Sequence, residues 1–190
     1  MTEVSNETRF LHAIEIGLGA WQWGDRVIWG YGQTHTDKEI RESFDVSLNL
    51  GVRFVDTAEI YGSGYSERLL GQFLKEIDQP VLVATKYFPW PWRITKGFIP
   101  RALKGSLERM GLESVDLYQI HWPSFFMSPE TMMEGMVECV KRGMTRTVGV
   151  SNFGEKRMLR AYSTLAQHGI PLASNQVHYS LLSREVEKNG

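Results

Sequence analysis

Asp56, Lys86, His121, Ser151 and Gln176 follow one another along the chain at intervals of 30, 35, 30 and 25 residues. A carboxylate, an ammonium, an imidazole, a hydroxyl and an amide are groups that can hold, orient or move a proton at a polarised substrate. Tyr61, five residues beyond Asp56, adds a phenol, and Asn152 adds a second amide beside Ser151. A phenol of ordinary pKa near 10 is a reluctant acid, and a neighbouring ammonium stabilises its conjugate base. Taken singly, each residue has a plainer use. A terminal Asp caps a turn, a Lys lays its stem along apolar surface, and a lone His satisfies a core hydrogen bond. The spacing is what joins them, because 25 to 35 residues is the length of one strand plus one helix.

Elements at that spacing can be read directly. Six β-rich runs are expected at Ala13–Gly17, Val52–Asp56, Val81–Lys86, Val115–His121, Thr147–Ser151 and Ala173–His178. Most are dense in Val, Ile and Leu, as parallel strands buried on both faces must be. Between them lie amphipathic helices. Thr36-Asp-Lys-Glu39 is a capping-box pattern ahead of Ile40, Phe44 and Leu48. Ser66 is expected to cap a second helix carrying Leu69, Leu70, Phe73, Leu74 and Ile77. Pro100 opens a third with Leu103, Leu107 and Met110, and Ser128-Pro129 a fourth with Met132, Met133, Met136, Val137 and Val140. A fifth places Met158, Leu159, Tyr162 and Leu165 inward. Alternating strands and helices predict stacked βαβ units, and the polar strand ends then fall at one rim, where active sites of (β/α) barrels lie.

The tryptophans point to the same rim. All six, Trp21, Trp23, Trp29, Trp90, Trp92 and Trp122, fall in segments just after the first, third and fourth strands, and none in a helix stripe. Large aromatics on such loops predict the walls of an apolar pocket, with Trp21, Trp23, Trp90 and Trp122 as the substrate-facing candidates.

Composition excludes several classes. With 21 Lys plus Arg against 22 Asp plus Glu and no block of like charge, the chain is not built to bind nucleic acid. No apolar run approaches the roughly 20 residues that cross a bilayer, and the polar, acidic start is unlike a secretory leader, so a cytoplasmic protein is expected. The single cysteine, Cys139, allows no internal disulfide or cysteine-rich metal site and reads as a core residue. No metal is expected: a metal hydrolase using His121, Asp56 and Glu59 would need further His or carboxylate ligands at the third, fifth and sixth strand ends. Gly17-Leu-Gly19 lacks the third glycine of a dinucleotide fingerprint.

Six short strings, taken in order, resemble the aldo-keto reductase family: Gly17-Leu-Gly-Ala-Trp21, Asp56-Thr-Ala-Glu-Ile-Tyr-Gly62, Ala84-Thr-Lys86, Asp116-Leu-Tyr-Gln-Ile-His121-Trp-Pro123, Gly149-Val-Ser-Asn-Phe153 and Asn175-Gln-Val-His-Tyr-Ser180. The resemblance implies an α/β fold of the (β/α)8 TIM-barrel type and NADPH-dependent reduction of aldehydes and ketones. It implies that Tyr61 is the proton donor, that Lys86 held by Asp56 assists it, and that His121 orients the substrate carbonyl. It further implies that Ser151, Asn152 and Gln176 bind the carboxamide of NADP(H).

Such a barrel takes about 250 residues. Only six βα units fit into residues 1–190, so a single, incomplete barrel domain is expected, with strands seven and eight, whose loops hold the cofactor's phosphates in the family, missing. The expectation is a fragment with little activity alone, and self-association through its open barrel edges. The alternative is a non-catalytic binding or regulatory subunit of the same fold.

Overall fold

A computed structural model describes residues 8–189. The polar start of the chain, residues 1–7, lies outside the described residues. The elements are β1 (Leu18–Gly19), α1 (Asp37–Asn49), β2 (Phe54–Asp56), α2 (Tyr65–Lys75), β3 (Leu82–Tyr87), α3 (Phe98–Met110), β4 (Val115–Ile120), α4 (Pro129–Lys141), β5 (Thr145–Ser151), α5 (Glu155–Ala166), β6 (Leu172–Gln176) and the short α6 (Val186–Asn189). Among the described residues the strands form one six-stranded sheet in chain order, every pair parallel.

The sheet curls. The Gln176 amide at the end of β6 donates to the Asp56 carboxylate at the end of β2, at 3.1 Å. Phe54, Leu117, Gln119, Ala173 and Ser174 from β2, β4 and β6 face a common interior of about 300 Å³, which Leu11 and Ile14 help to line. This is an incomplete barrel of the (β/α)8 type, six units around, with β1 and β6 as its edges. The main core lies between sheet and helices, where Leu70, Tyr118, Ile99, Leu103, Met133, Met136 and Cys139 are fully buried.

Local chemistry explains most boundaries. The Glu39 carboxylate accepts from the Thr36 N–H at 2.8 Å, closing the expected capping box. Ser128 accepts from the Thr131 N–H ahead of Pro129 at the start of α4. Gly111 ends α3 in the left-handed conformation, with φ 67. At Gly149 an added Cβ would sit 2.2 Å from the Ser174 hydroxyl, and the register between β5 and β6 shifts there. Glycine therefore lets the two strands approach.

Three sequence expectations are corrected. The first strand is not Ala13–Gly17: a 3-10 turn occupies Arg9–Ala13, Glu15, Ile16 and Gly17 are exposed, and pairing with β2 begins only at Leu18. The alternation of that segment mimics a strand, but β1 is an edge and no neighbour extends its ladder. Ser66 does not cap α2. It is buried inside the first turn, where its hydroxyl bonds the Ala20 carbonyl and the Thr57 hydroxyl, and Gly64 is the N-cap. On α5 the buried residues are Ala161, Thr164 and Leu165, while Leu159 and Tyr162 are exposed.

Candidate active site

Strand ends deliver the polar residues to one rim. Asp56 ends β2, Lys86 lies in β3, His121 follows β4, Ser151 ends β5 and Gln176 ends β6. Each is held by the parallel ladder or its continuation: the His121 N–H donates to the Tyr87 carbonyl and the Asn152 N–H to the Gln176 carbonyl, both at 2.9 Å. Tyr61 sits in the turn between β2 and α2, where Gly62 has φ 53 and Ser63 φ 55. An added Cβ on Gly62 would meet the Gly24 backbone at 2.8 Å, so this turn packs backbone against backbone on the loop after β1.

Lys86 is the electrostatic centre. Its side chain is only 2% exposed, and its ammonium donates to both Asp56 oxygens at 2.6 Å and to the Thr57 carbonyl at 2.9 Å. The Tyr61 hydroxyl oxygen lies 3.5 Å from the same nitrogen. Burial pushes the Lys86 pKa down, and Asp56 opposes that shift. The Tyr61 phenol moves up from its ordinary value, first through burial and then through the Asp56 charge. That is the reverse of the downward pull the sequence leads one to expect. The ammonium is engaged by the carboxylate at 2.6 Å and meets the phenol only at 3.5 Å.

His121 packs edge-on against Tyr61, with ring centroids 5.5 Å apart, and against Phe88 at 5.9 Å. Burial, then the Lys86 charge, lowers its pKa to about 3, so the ring is neutral in ordinary buffers. Its Nδ1 is buried without a partner, and no described residue bonds its other nitrogen.

Ser151, Asn152 and Gln176 form a second polar group on the same rim. The Ser151 hydroxyl donates to the Gln176 carbonyl, and the Asn152 amide nitrogen donates to the His121 carbonyl and the Ser151 hydroxyl. Asn152 has φ 60, a conformation that non-glycine residues adopt only when their surroundings demand it. Among the described residues the side-chain oxygens of Asn152 and Gln176 accept no hydrogen bond. Two open amide acceptors beside a hydroxyl suit a carboxamide, so this donor and acceptor set fits a nicotinamide head group.

The aromatic residues divide. Trp21 stacks on Tyr61 at 6.3 Å and is crossed by Trp29, so it stands at the site. Trp90 packs on Phe88, and Trp92 stacks on Trp90 with the planes 5° apart. Trp122 is half exposed beside His121. Trp23 is not brought to the rim. It is 4% exposed and packs against Phe44 and Phe73 in the core.

Sequence reasoning passed over Phe88 and considered Glu59 only as a metal ligand. Glu59 accepts from the Phe88 N–H at 2.6 Å and pairs with Arg93. Its place between Asp56 and Tyr61 in one heptapeptide was the available signal. Among the described residues no group of three or more His, Cys, Asp or Glu is arranged to hold a metal, and no helix is long and apolar enough to cross a membrane.

Strand-end Asp56, Lys86 and His121 and loop Tyr61 thus gather proton-handling groups at one rim of a parallel, incomplete (β/α) barrel. The profile of the Aldo/keto reductase family matches residues 15–190, and the chain belongs to that family. It is 37% identical over 186 residues to the chloroplastic pyridoxal reductase of Arabidopsis thaliana, covering 91% of this chain and 51% of that protein. Among solved structures, the thermostable aldo-keto reductase Tm1743 superposes with a TM-score of 0.78 at 30% identity, covering 92% of this chain and 61% of that one. An aldo-keto reductase from Klebsiella pneumoniae, solved with NADPH, gives a TM-score of 0.74 at 28% identity, with 90% and 56% covered. The chain spans about half the length of the curated relatives it matches.

Proposed function

We propose that this chain carries the catalytic rim of a carbonyl reductase that uses NADP(H) and acts on small aldehydes and ketones. The observation that carries the reading is the contiguous set Asp56, Lys86, Tyr61 and His121. The bound cofactor would supply a hydride to the carbonyl carbon, with its carboxamide held by Ser151, Asn152 and Gln176.

The chain's own residues do the rest. His121, neutral and unpartnered, donates from a ring nitrogen to the carbonyl oxygen and fixes its direction. The Tyr61 hydroxyl, whose oxygen faces Lys86 and whose hydrogen bonds no described residue, gives its proton to the same oxygen as negative charge develops there. A raised phenol pKa keeps that proton in place at neutral pH. The transfer still runs downhill, because an alkoxide is a stronger base than a phenolate. Asp56 holds the Lys86 ammonium beside the resulting phenolate. Trp21, Trp90 and Trp122 wall the approach and favour planar, aromatic carbonyl compounds; one relative is named for the reduction of pyridoxal, an aromatic aldehyde.

The test is Tyr61→Phe in a chain extended by two further βα units to a whole barrel, with NADPH oxidation followed against a panel of aliphatic and aromatic aldehydes. Turnover should fall about 10²- to 10⁴-fold while quenching of tryptophan fluorescence by NADPH is kept, since the hydroxyl is a proton donor and no cofactor contact. Undiminished turnover would assign the acid elsewhere. NADPH binding by the unaltered extended chain without reduction of any carbonyl would favour the non-catalytic subunit.

A further inference from the structure

His121 is held in an unusual way. A catalytic imidazole is ordinarily oriented by a hydrogen bond to one ring nitrogen from a carboxylate or carbonyl. Here neither nitrogen bonds a described residue. What fixes the ring is packing: Tyr61 stands edge-on to one side at 83°, and Phe88 edge-on at 86°. The orientation of His121 is therefore only as good as the placement of those two rings.

Both rings hang from segments joined by one ion pair. Glu59, two residues before Tyr61, accepts from the Phe88 N–H at 2.6 Å and pairs through both oxygens with the Arg93 guanidinium. Arg93 returns to donate to the Phe88 carbonyl at 3.1 Å and lies over the Tyr87 ring at 5.0 Å. The Phe88 N–H is thus held by Glu59, and its carbonyl is shared between Arg93 and the Trp90 N–H at 2.9 Å. The side chains are 8% and 18% exposed, so the pair is shielded from solvent and from screening. A bidentate Arg–carboxylate fork is also directional, which a point-charge pair is not.

We propose that Glu59 and Arg93 are positioning residues that clamp Phe88 to the Tyr61 loop and thereby set the angle of the His121 ring. Breaking the clamp frees Phe88, opens one side of the imidazole to water and lets it rotate. The proposal rests on the reading above only in giving His121 a carbonyl to orient. The geometry of the ring can be read without turnover.

The experiment follows the His121 ring protons and nitrogens by NMR across a pH titration of the intact chain, in wild type, Glu59→Ala, Phe88→Leu and Glu59→Gln. Lys86, with Asp56 bound to it, and Tyr61 are the ionisable groups facing the ring, and all stay unaltered. In wild type His121 should show ring-current-shifted protons and no titration above pH 5. Glu59→Ala should move those shifts toward ordinary histidine values and raise the midpoint by more than about one pH unit, because the burial that depresses it is relieved. Phe88→Leu keeps the clamp and removes the ring, so it should do the same, and it serves if Glu59→Ala does not fold. Glu59→Gln retains an acceptor for Phe88 but loses the charged fork to Arg93, so its shift should fall between wild type and Glu59→Ala. A folded Glu59→Ala or Phe88→Leu protein with an unmoved His121 overturns the proposal, as does an equal shift in all three variants. If the extended chain reduces no aldehyde yet His121 moves as described in this one, the proposed function fails and the clamp stands.

Discussion

His121 is the residue whose environment departs furthest from what its neighbours in sequence announce. Its folded pKa of about 3 lies below the ordinary 6.5, so between those values the unfolded chain binds a proton that the folded chain refuses. The stabilisation is whole above pH 6.5 and is lost as the pH falls toward 3. At about 1.4 kcal/mol per pH unit, lowering the pH from 7.5 to 5 should cost wild type about 2 kcal/mol more than His121→Asn. Urea unfolding of both proteins at the two pH values measures it, and equal losses would show that the ring is solvated. Spacing and motif placed Asp56, Tyr61, Lys86 and His121 on one rim because strand ends are fixed by the repeat. They point the Tyr61 shift the wrong way, because burial first and the Asp56 charge second raise the phenol pKa, and they do not give the burial of Trp23. A tryptophan after a strand faces rim or core according to the local turn, and periodicity does not record that.

At the scale of elements, helix contacts set where the βα units can close. Gly71 on α2 lies so near α3 that a Cβ would come within 2.3 Å of the Met110 carbonyl oxygen, a backbone atom that cannot swing aside. Gly105 on α3 has the Arg109 guanidinium at 3.2 Å, which must give by a few tenths of an ångström while it holds Glu67 and Ser106. Gly71→Ala should therefore destabilise by about 1–3 kcal/mol through forced separation of the helices. Gly105→Ala should stay within about 1 kcal/mol of wild type, helix propensity offsetting the small displacement of the guanidinium. Thermal denaturation of both variants checks the pair, and a loss in Gly105→Ala as large as in Gly71→Ala would contradict the packing described. β2 to β6 and the five long helices were legible as elements because apolar period and glycine stops marked them, although the cap of α2 and the buried face of α5 were not. β1 was displaced because alternation alone, without a partner strand on the outer side, does not make a ladder.

The whole molecule presents an unfinished circle. Among the described residues β1 and β6 each leave one backbone edge unpaired, and exposed apolar side chains cluster on the loops and on the segment after β6, with Leu182 wholly exposed and Leu181, Phe125 and Val27 more than nine-tenths so. Such edges and patches promote association. Sedimentation velocity of the 190-residue chain should show mass rising with concentration, and Leu181→Lys with Leu182→Lys should reduce it. A concentration-independent monomer would mean that the edges are protected in solution.

The order of the strands in the sheet is also the order in which a ribosome makes them. Each strand pairs with the one synthesised just before it, so every βα unit can dock as it emerges, with no long wait for a distant partner. Lys86 reaches Asp56 after one such addition and His121 joins after the next. The Gln176 amide, which closes on the Asp56 carboxylate from 120 positions downstream, arrives last. The residues of the rim thus become available in order: those of its charged pair first, and the donor of its final hydrogen bond only once the sixth strand has left the exit tunnel.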